Sequence, residues 1–293
     1  MNSVDSHISK IFCIYNPNSG PQYKKRQNQK FIIFLKKQPQ VVLHIWDITV
    51  DFTVIAKQIK TYQIIVAIGG DGSINRIAQE IIGTKKVLGI IPLGSGNGLA
   101  RTLGISRSPY KAWNQLKNAK PFLIDVGMCN DNLFLCTSGI GFDAEVAHLF
   151  STSNQRGLFT YIKLILTLAL KYKPKNIKIE INGAAFNSKV FMATCCNAGQ
   201  FGNNFYIAPD AKLNDGELNL VIIPAFNFFN LFKIILSFAF KTVKTSNLII
   251  RHYVKTVELK SIPNGLVHID GEVLQQTSSV KYSILPGHLY VLK

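Results

Sequence analysis

The sequence predicts an α/β N-terminal domain built on a parallel sheet, followed by a β-rich, sandwich-like C-terminal domain. Three observations carry this. Short apolar runs alternate with helix-compatible stretches over the first third of the chain, the βαβα order of a parallel sheet with crossover helices. From Asp125 onward long strand-like runs dominate, and Asn182-Gly183 is a strong hairpin signal. The chain has 293 residues, about twice a typical domain. The expected boundary lies near Asp125, giving domains 1–124 and 125–293, with a final strand that can return to the first domain.

In chain order, Ile8 to Tyr15 is an apolar run stopped by Asn16-Pro-Asn-Ser-Gly20, a strand and then a turn. Tyr23 to Lys37 reads as a basic helix, Val41 to Trp46 as a strand and Phe52 to Lys60 as a helix. A buried strand, Ile64 to Ile68, runs into Gly69-Gly-Asp-Gly72 and a helix from about Ser73 to Ile82. Val87 to Ile91 is the next strand and ends in Pro92-Leu-Gly-Ser-Gly-Asn-Gly98 before another helix. Both glycine-rich loops follow the carboxyl ends of strands, where such sheets bind ligands. The second domain should hold strands at Leu133–Ile140, Asn176–Ile181, Lys189–Asn197, Glu217–Ile223, Val254–Ser261, Leu266–Ile269 and Val280–Leu285. Helices at about Arg156–Tyr172 and Phe226–Lys241 interrupt them.

Hydrophobic residues make up 47 % and charged residues 17 %, enough to build a core and unlike a disordered chain. Lys and Arg number 33 against 16 Asp and Glu, a net charge of +17. That excess points to polyphosphate, nucleic acid or an anionic membrane as partner. The charge is dispersed and the aromatics sit in apolar runs, so nucleic acid is not expected. The five cysteines form no CxxC and read as buried reduced thiols, and no His/Cys cluster has zinc spacing. No apolar segment follows a basic one near the N-terminus, and no uninterrupted apolar run is long enough to span a bilayer. A cytoplasmic protein, peripheral at the membrane surface, is the expectation.

The chemistry gathers around Ile64-Ile-Val-Ala-Ile-Gly-Gly-Asp-Gly-Ser-Ile-Asn75. Glycines let the backbone approach a phosphate, and the helix start offers N–H groups and a favourable dipole. Asp71 beside a polyphosphate is repulsive unless a cation intervenes, which suggests Mg²⁺ with a nucleotide. A plain strand-to-helix turn with an Asp cap would leave the same residues. The P-loop, the dinucleotide fingerprint and the protein-kinase motif set are all absent. In the second loop Ser95 can donate to a phosphate, Asn97 can hold the loop or the nucleotide, and Arg101 lies one turn into the helix.

GGDGS at 69–73 followed by PLGSGNGLAR at 92–101 resembles the diacylglycerol kinase catalytic family, with its bacterial lipid kinases and related sphingosine kinases. The Asn16–Gly20 turn is similar to that family's NP-x-SG. Ala208-Pro-Asp-Ala-Lys-Leu-Asn-Asp-Gly-Glu-Leu218 resembles AP-x-A-x-x-x-DG-x-L, and Asp270-Gly-Glu272 resembles its late DGE. The resemblance runs in order along essentially the whole chain. It implies an ATP-dependent lipid kinase that phosphorylates a hydroxyl of a membrane lipid such as diacylglycerol. It places the nucleotide on Asn16, Thr49, Gly69, Gly70, Asp71, Gly72, Ser73, Asn75, Gly94, Ser95 and Asn97, the general base on Glu272, and the nucleotide's Mg²⁺ under Asp71 and Asp125. A further metal site would use the Asp215 side chain with backbone oxygens of Lys212 and Glu217. Read without the family, Asn214-Asp-Gly216 and Asp270-Gly271 are ordinary turns. Gly98 stands where bacterial members often carry an acid, which leaves the acceptor lipid open.

A lipid acceptor comes from a membrane. Between Val146 and Pro209 the one acid, Glu180, faces Arg156, Lys163, Lys171, Lys173, Lys175, Lys178 and Lys189. Segment 226–244 carries six phenylalanines with Lys233, Lys241 and Lys244. Basic, aromatic-rich helices of this kind can lie on anionic membranes, although covering the β domain is their plainest role. The alternatives are an NAD kinase-like enzyme, which shares the GGDG turn, and a non-catalytic lipid- or nucleotide-binding protein. A homodimer is compatible with either.

Overall fold

A computed structural model describes residues 10–47, 49, 51–152, 165, 167–169, 171–202, 205–227, 229–262, 265–274 and 278–293. Contacts divide the chain into two units: Met1–Gly94 with Leu103–Leu123 and Leu289–Lys293, and Ser95–Thr102 with Ile124–His288. The single cut expected at residue 125 did not anticipate the grouping of 95–102 with the second unit.

The first unit is built on a parallel sheet. β1 (Ile11–Tyr15), β2 (Val41–Ile45), β3 (Ile64–Gly69) and β4 (Val87–Pro92) lie in the order β2-β1-β3-β4. β17 (Ser279–Leu292) sends its last residues here, pairing Tyr290 with Val87 and Val291 with Leu88. β3 and β4 are buried at nearly every position. That is why they read as continuous apolar runs rather than alternating ones.

Helices supply amphipathic faces to the same unit. α1 (Lys25–Lys36) buries Phe31, Ile32 and Leu35. α2 (Phe52–Ile59) buries Phe52, Ile55 and Ile59, and its cap is Asp51, whose carboxylate accepts the Thr53 N–H at 3.0 Å. α3 (Asp71–Gln79) buries Ile74, Ile77 and Ala78. The short α4 (Gly98–Thr102) belongs to the second unit. α5 (Pro109–Asn118), which the sequence reading did not assign, starts on Ser108-Pro109 and buries Ala112, Trp113 and Leu116.

The strand order positions the ligand end of this sheet. The chain moves from β1 outward to β2, then crosses back over β1 to β3. The order reverses between β1 and β3, and ligands on open α/β sheets bind beyond the strand carboxyl ends at such a reversal.

The second unit is antiparallel and centres on β9 (Ala184–Cys196). Its first half pairs with β8 (Lys175–Ile181), and its second half with β7 (Thr137–Gly141) and β12 (Leu218–Pro224). The β8–β9 hairpin turns at Asn182 and Gly183, with φ of 51° and 82°. A two-residue turn of this hand needs both central residues left-handed, which Asn-Gly supplies. Val190, Ala193 and Cys195 of β9 join one buried cluster, with Phe134, Ile177 and Tyr282. Phe191, Met192 and Cys196 join a second, with Phe142, Val221 and Phe238. A strand that feeds two cores is the sandwich-like arrangement expected of this half.

The remaining elements are β5 (Pro121–Cys129), β6 (Asn132–Phe134), α6 (Phe142–Thr152), β10 (Gln200–Gly202), β11 (Phe205–Tyr206), α7 (Asn230–Ala239), β13 (Ile250–Val254), β14 (Thr256–Lys260), β15 (Val267–Ile269) and β16 (Glu272–Leu274). Three expectations need correction. The run 133–140 is two strands, because the backbone between β6 and β7 bonds a side chain instead of a neighbouring strand. α6 was not anticipated, since its apolar residues follow a glycine strand without a break. Ile250 to Val254 is a strand of its own, paired with β12. Most of the helix expected at 156–172 lies outside the described residues.

All five cysteines are buried free thiols. Burial pushes Cys13 up to about 12 and raises Cys195 and Cys196 as well, so these thiols stay protonated and inert. Among the described residues no helix is long and apolar enough to cross a membrane.

Candidate active site

Three loops meet at the carboxyl end of the first unit's sheet. Asn16 follows β1, and its Nδ2 donates to Ser73 Oγ at 2.9 Å. Ser19 Oγ accepts the Gly70 N–H at 3.2 Å. The Leu93 N–H, just past β4, donates to the Gly69 carbonyl at 2.7 Å. The Asn16–Gly20 turn is thus a brace for the GGDG loop, through Asn16, which the resemblance places on the nucleotide, and Ser19, to which the sequence reading gave no role.

The glycines are there because the approach is close. Gly20 has φ of 85°, and a Cβ on it would sit 2.2 Å from the Leu93 carbonyl oxygen. A Cβ on Gly69 would meet Ser73 Cβ at 2.7 Å. Gly70 caps α3, so Asp71, Gly72 and Ser73 form its first turn, where backbone N–H groups point out of the helix end. Asp71 is half-buried, whereas Ser73 is buried; its oxygen accepts from Asn16 and its own proton remains available to donate. Asn75, one turn in, accepts from Gln79 Nε2 at 2.7 Å.

Thr49 is exposed on the loop after β2, and both its N–H and its hydroxyl donate to Asp47 Oδ1, at 2.9 and 2.7 Å. These bonds hold the Asp47 carboxyl below its ordinary range. Gly94 ends the first unit's share of the second loop, and Ser95 to Thr102 belong to the other unit. Ser95 is exposed. Asn97 is 1 % exposed with φ of 55°, and its carbonyl accepts the Arg101 N–H at 3.0 Å, so it shapes the start of α4. Arg101 folds back, its Nε donating to the Gly96 carbonyl at 2.8 Å. Gly98 is enclosed: a Cβ would lie 3.3 Å from both Cys136 Sγ and the Gln200 carbonyl oxygen. The missing acid at this position thus has a steric counterpart.

In the second unit Asp125 is 2 % exposed, and its two oxygens accept the N–H groups of Gly287 and Gly216, each at 2.7 Å. Its own N–H donates to the Leu213 carbonyl at 2.6 Å, and its carbonyl accepts from Asn197 Nδ2 at 2.9 Å. This carboxylate pins the 213–217 turn by both backbone and side chain. On that turn Asp215 is exposed, and its Oδ1 accepts the Glu217 N–H at 3.2 Å. An exposed carboxylate with the Lys212 and Glu217 carbonyls is an all-oxygen set on a braced turn, which fits a hard cation such as Mg²⁺. Among the described residues no three His, Cys, Asp or Glu side chains cluster as metal ligands.

The third acidic motif, Asp270-Gly271-Glu272, forms the β15–β16 hairpin, with Ile269 opposite Glu272. Asp270 and Gly271 have φ of 49° and 86°, the left-handed pair such a turn requires. The Asp270 carboxylate accepts three consecutive backbone N–H groups, from Leu135, Cys136 and Thr137, at 2.8, 2.8 and 2.9 Å. Its own N–H donates to the Thr137 carbonyl at 2.8 Å. Asp270 is therefore a clamp, and Glu272 the exposed acid that it positions. Partial desolvation of the Glu272 carboxyl, followed by the negative charge of Asp270, holds it above the ordinary glutamate range.

One buried cluster escaped sequence reading altogether. Asp143, at the start of α6, accepts from Thr194 Oγ1 at 2.5 Å and pairs with His268 Nε2 at 2.9 Å. The His268 and Asp143 side chains are 3 % and 9 % exposed. Gly139 leaves room for them: a Cβ there would lie 2.4 Å from Asp143 Oδ2. The pair ties α6 to β15, two residues before Asp270. Its signal in the sequence was a histidine between Val267 and Ile269, a polar residue in an apolar strand.

Two family models match the chain. Residues 10–129 match the diacylglycerol kinase catalytic domain, and residues 137–293 match the YegS C-terminal NAD kinase beta sandwich-like domain. A diacylglycerol kinase of Bacillus subtilis (strain 168) is 29 % identical over 73 % of each chain. Among solved structures, a diacylglycerol kinase from Bacillus anthracis str. Sterne aligns with a TM-score of 0.72 at 19 % identity, over 97 % of this chain and 96 % of that one. An NAD kinase from Archaeoglobus fulgidus aligns with a TM-score of 0.54 at 13 % identity, over 97 % and 93 %. These last two likenesses are of fold.

Proposed function

Because this chain belongs to the diacylglycerol kinase catalytic family and is a lipid kinase, we propose that it transfers the γ-phosphoryl group of ATP to the hydroxyl of a membrane lipid such as diacylglycerol, working at an anionic membrane surface. The observation that carries the chemistry is Glu272: an acid on a turn clamped by Asp270, with its affinity for a proton raised. A base must hold a proton late in the transfer, and a carboxyl shifted upward does so better at neutral pH.

The residues divide the work. Gly69 and Gly70 let the phosphates approach the loop closely, and Gly72 and Ser73 receive them on backbone N–H groups and a hydroxyl, with the loop braced from behind by Asn16 and Ser19. Gly94, Ser95 and Asn97 shape the second loop against the nucleotide, with Ser95 as its exposed donor. Thr49 and Asn75 contribute from the rim. Asp71 would hold the nucleotide's Mg²⁺, which supplies charge neutralisation on the phosphates. Asp125 acts as a positioning residue, through the turn whose Asp215 side chain and Lys212 and Glu217 carbonyls would hold a further Mg²⁺. Glu272 orients the lipid hydroxyl and accepts its proton as that oxygen attacks phosphorus. Phosphoryl transfer asks for little more than such positioning and charge compensation.

The test is ATP consumption with a panel of acceptors: diacylglycerol, phosphatidylglycerol, sphingosine, ceramide, undecaprenol and NAD. Turnover with one lipid alcohol and none with NAD supports the reading. Turnover with NAD alone would make the chain an NAD kinase, the second reading favoured by the fold likeness. In Glu272→Gln, turnover should fall by about 10²–10⁴ while nucleotide binding persists. If ATP binds but no acceptor is phosphorylated even by the unaltered chain, the protein is a binder.

A further inference from the structure

α7 has two apolar faces. One, with Ile234 and Phe238, is buried in the second unit's core. The other carries Phe232 and Leu236 and is continued by Phe240 at the C-cap; these are 67 %, 36 % and 71 % exposed. Positions 232, 236 and 240 recur every four residues and lie along one side of the helix. An exposed apolar face opposite a buried one is normally covered by protein or lipid. At ten residues it is about 15 Å long, half the thickness of a bilayer core, so it cannot span one.

Charge selects between a membrane and another apolar cover. Residues 218–257 contain Lys233, Lys241, Lys244, Arg251 and Lys255 and not one Asp or Glu. Lys233 is exposed on the rim of the phenylalanine face. Lys244 shares Asp210 with Arg251, so a single acid answers two cations there. Exposed aromatics in a surround where cations outnumber acids fit an anionic interface, where each nearby cation adds roughly 1 kcal/mol.

We propose that the Phe232–Leu236–Phe240 face of α7 inserts into the headgroup boundary of an anionic bilayer and lies flat in its plane. The proposal deepens the reading of the chain as a membrane-surface lipid kinase and rests on it for its purpose, though binding can be measured without turnover.

The experiment is co-sedimentation of the full chain with phosphatidylglycerol-rich vesicles, against phosphatidylcholine vesicles, in the absence of ATP. Phe232→Asp and Phe240→Asp should each lower the bound fraction by about tenfold. Turnover on a dispersed short-chain lipid alcohol should be unchanged in both. As a variant that disturbs folding least, Phe232→Trp should add fluorescence that brominated acyl chains quench, beyond any quenching of the parent's Trp46 and Trp113. Vesicle binding that survives both aspartates overturns the proposal, as does added indole fluorescence in Phe232→Trp that brominated lipid leaves untouched. So does a dimer in the unaltered chain that the aspartates convert to monomer, since the face would then belong to a second copy. Absence of turnover with every lipid alcohol, alongside intact vesicle binding, would instead fail the kinase reading and leave the docking face standing.

Discussion

The two units build their functional ends from different materials. In the first, the proposed working groups are backbone N–H groups of a glycine-rich turn with the Ser73 hydroxyl, and the braces are short polar side chains one loop away: Asn16 and Ser19. In the second, the proposed working group is the Glu272 carboxylate, and its surround is held by other carboxylates whose bonds join distant stretches: Asp270 to residues 135–137, Asp125 to 216 and 287, and Asp143 to 194 and 268. A phosphate cradle needs donors and room, which local backbone geometry provides. A general base needs a fixed position and a tuned proton affinity, which only a packed, hydrogen-bonded surround provides.

The sharpest way to break this comparison is at the clamp. Asp270→Ala leaves three backbone N–H groups without their carboxylate and removes a residue suited to φ of 49°. A loss of about 3 kcal/mol in unfolding free energy is expected from denaturant titration, together with loss of turnover. Asp270→Asn keeps part of the cradle and should recover part of the stability. If both variants unfold like the parent, the clamp is ornamental.

The matching test in the first unit is Gly20→Ala. Its Cβ would collide with the Leu93 carbonyl at a left-handed φ. The expected cost is about 1–3 kcal/mol, with KM for ATP raised while kcat changes less, because the brace and not the base is displaced. A variant that lost kcat at constant KM would argue against the division of labour.

Glu272→Gln separates catalysis from stability. The folded-state pKa of this carboxyl is raised, so its contribution to stability is present at acid pH and lost as pH rises through the folded value. Removing the charge should therefore leave Tm at neutral pH unchanged or slightly higher, while turnover collapses. In the parent enzyme kcat should rise with pH through a pKa above that of an ordinary glutamate, and the residual rate of the variant should lack that limb. A Tm that falls at neutral pH would show that the ionised side chain was holding the hairpin.

The smallest effect is expected at Gly98. Gly98→Ala places a Cβ 3.3 Å from Cys136 Sγ and the Gln200 carbonyl oxygen, contacts that can relax by a few tenths of an ångström. A cost of about 1 kcal/mol or less is expected from thermal melts. Gly98→Asp adds a charge facing that carbonyl and should cost more while restoring no activity. A gain in turnover would mean that the absent acid was a defect.

Legibility followed the same divide. Apolar runs and glycine punctuation marked the strands of the first unit, and GGDGS announced its loop, because their determinants lie within a few residues of one another. α5 escaped because Ser108-Pro109 was passed over as a start signal. In the second unit, Asn182-Gly183 set its hairpin visibly, since the turn's dihedral demand is local. The break at Leu135-Cys136 was invisible: nothing in those residues reports that a carboxylate 135 and 134 positions away takes their N–H groups. Nor could composition tell Asp125, whose oxygens face amides, from Asp71, at the open start of a helix.

The order of secondary structure, the two-part architecture and the glycine-lined strand-to-helix turn at GGDG were written in the chain itself, because propensity, periodicity and backbone freedom act over short distances. Which acid clamps and which stands exposed, that His268 is buried against Asp143, and that one side of α7 lacks a cover among the described residues were decided only by tertiary structure. Those outcomes depend on burial and on long-range hydrogen bonds, and neither exists until the chain has folded.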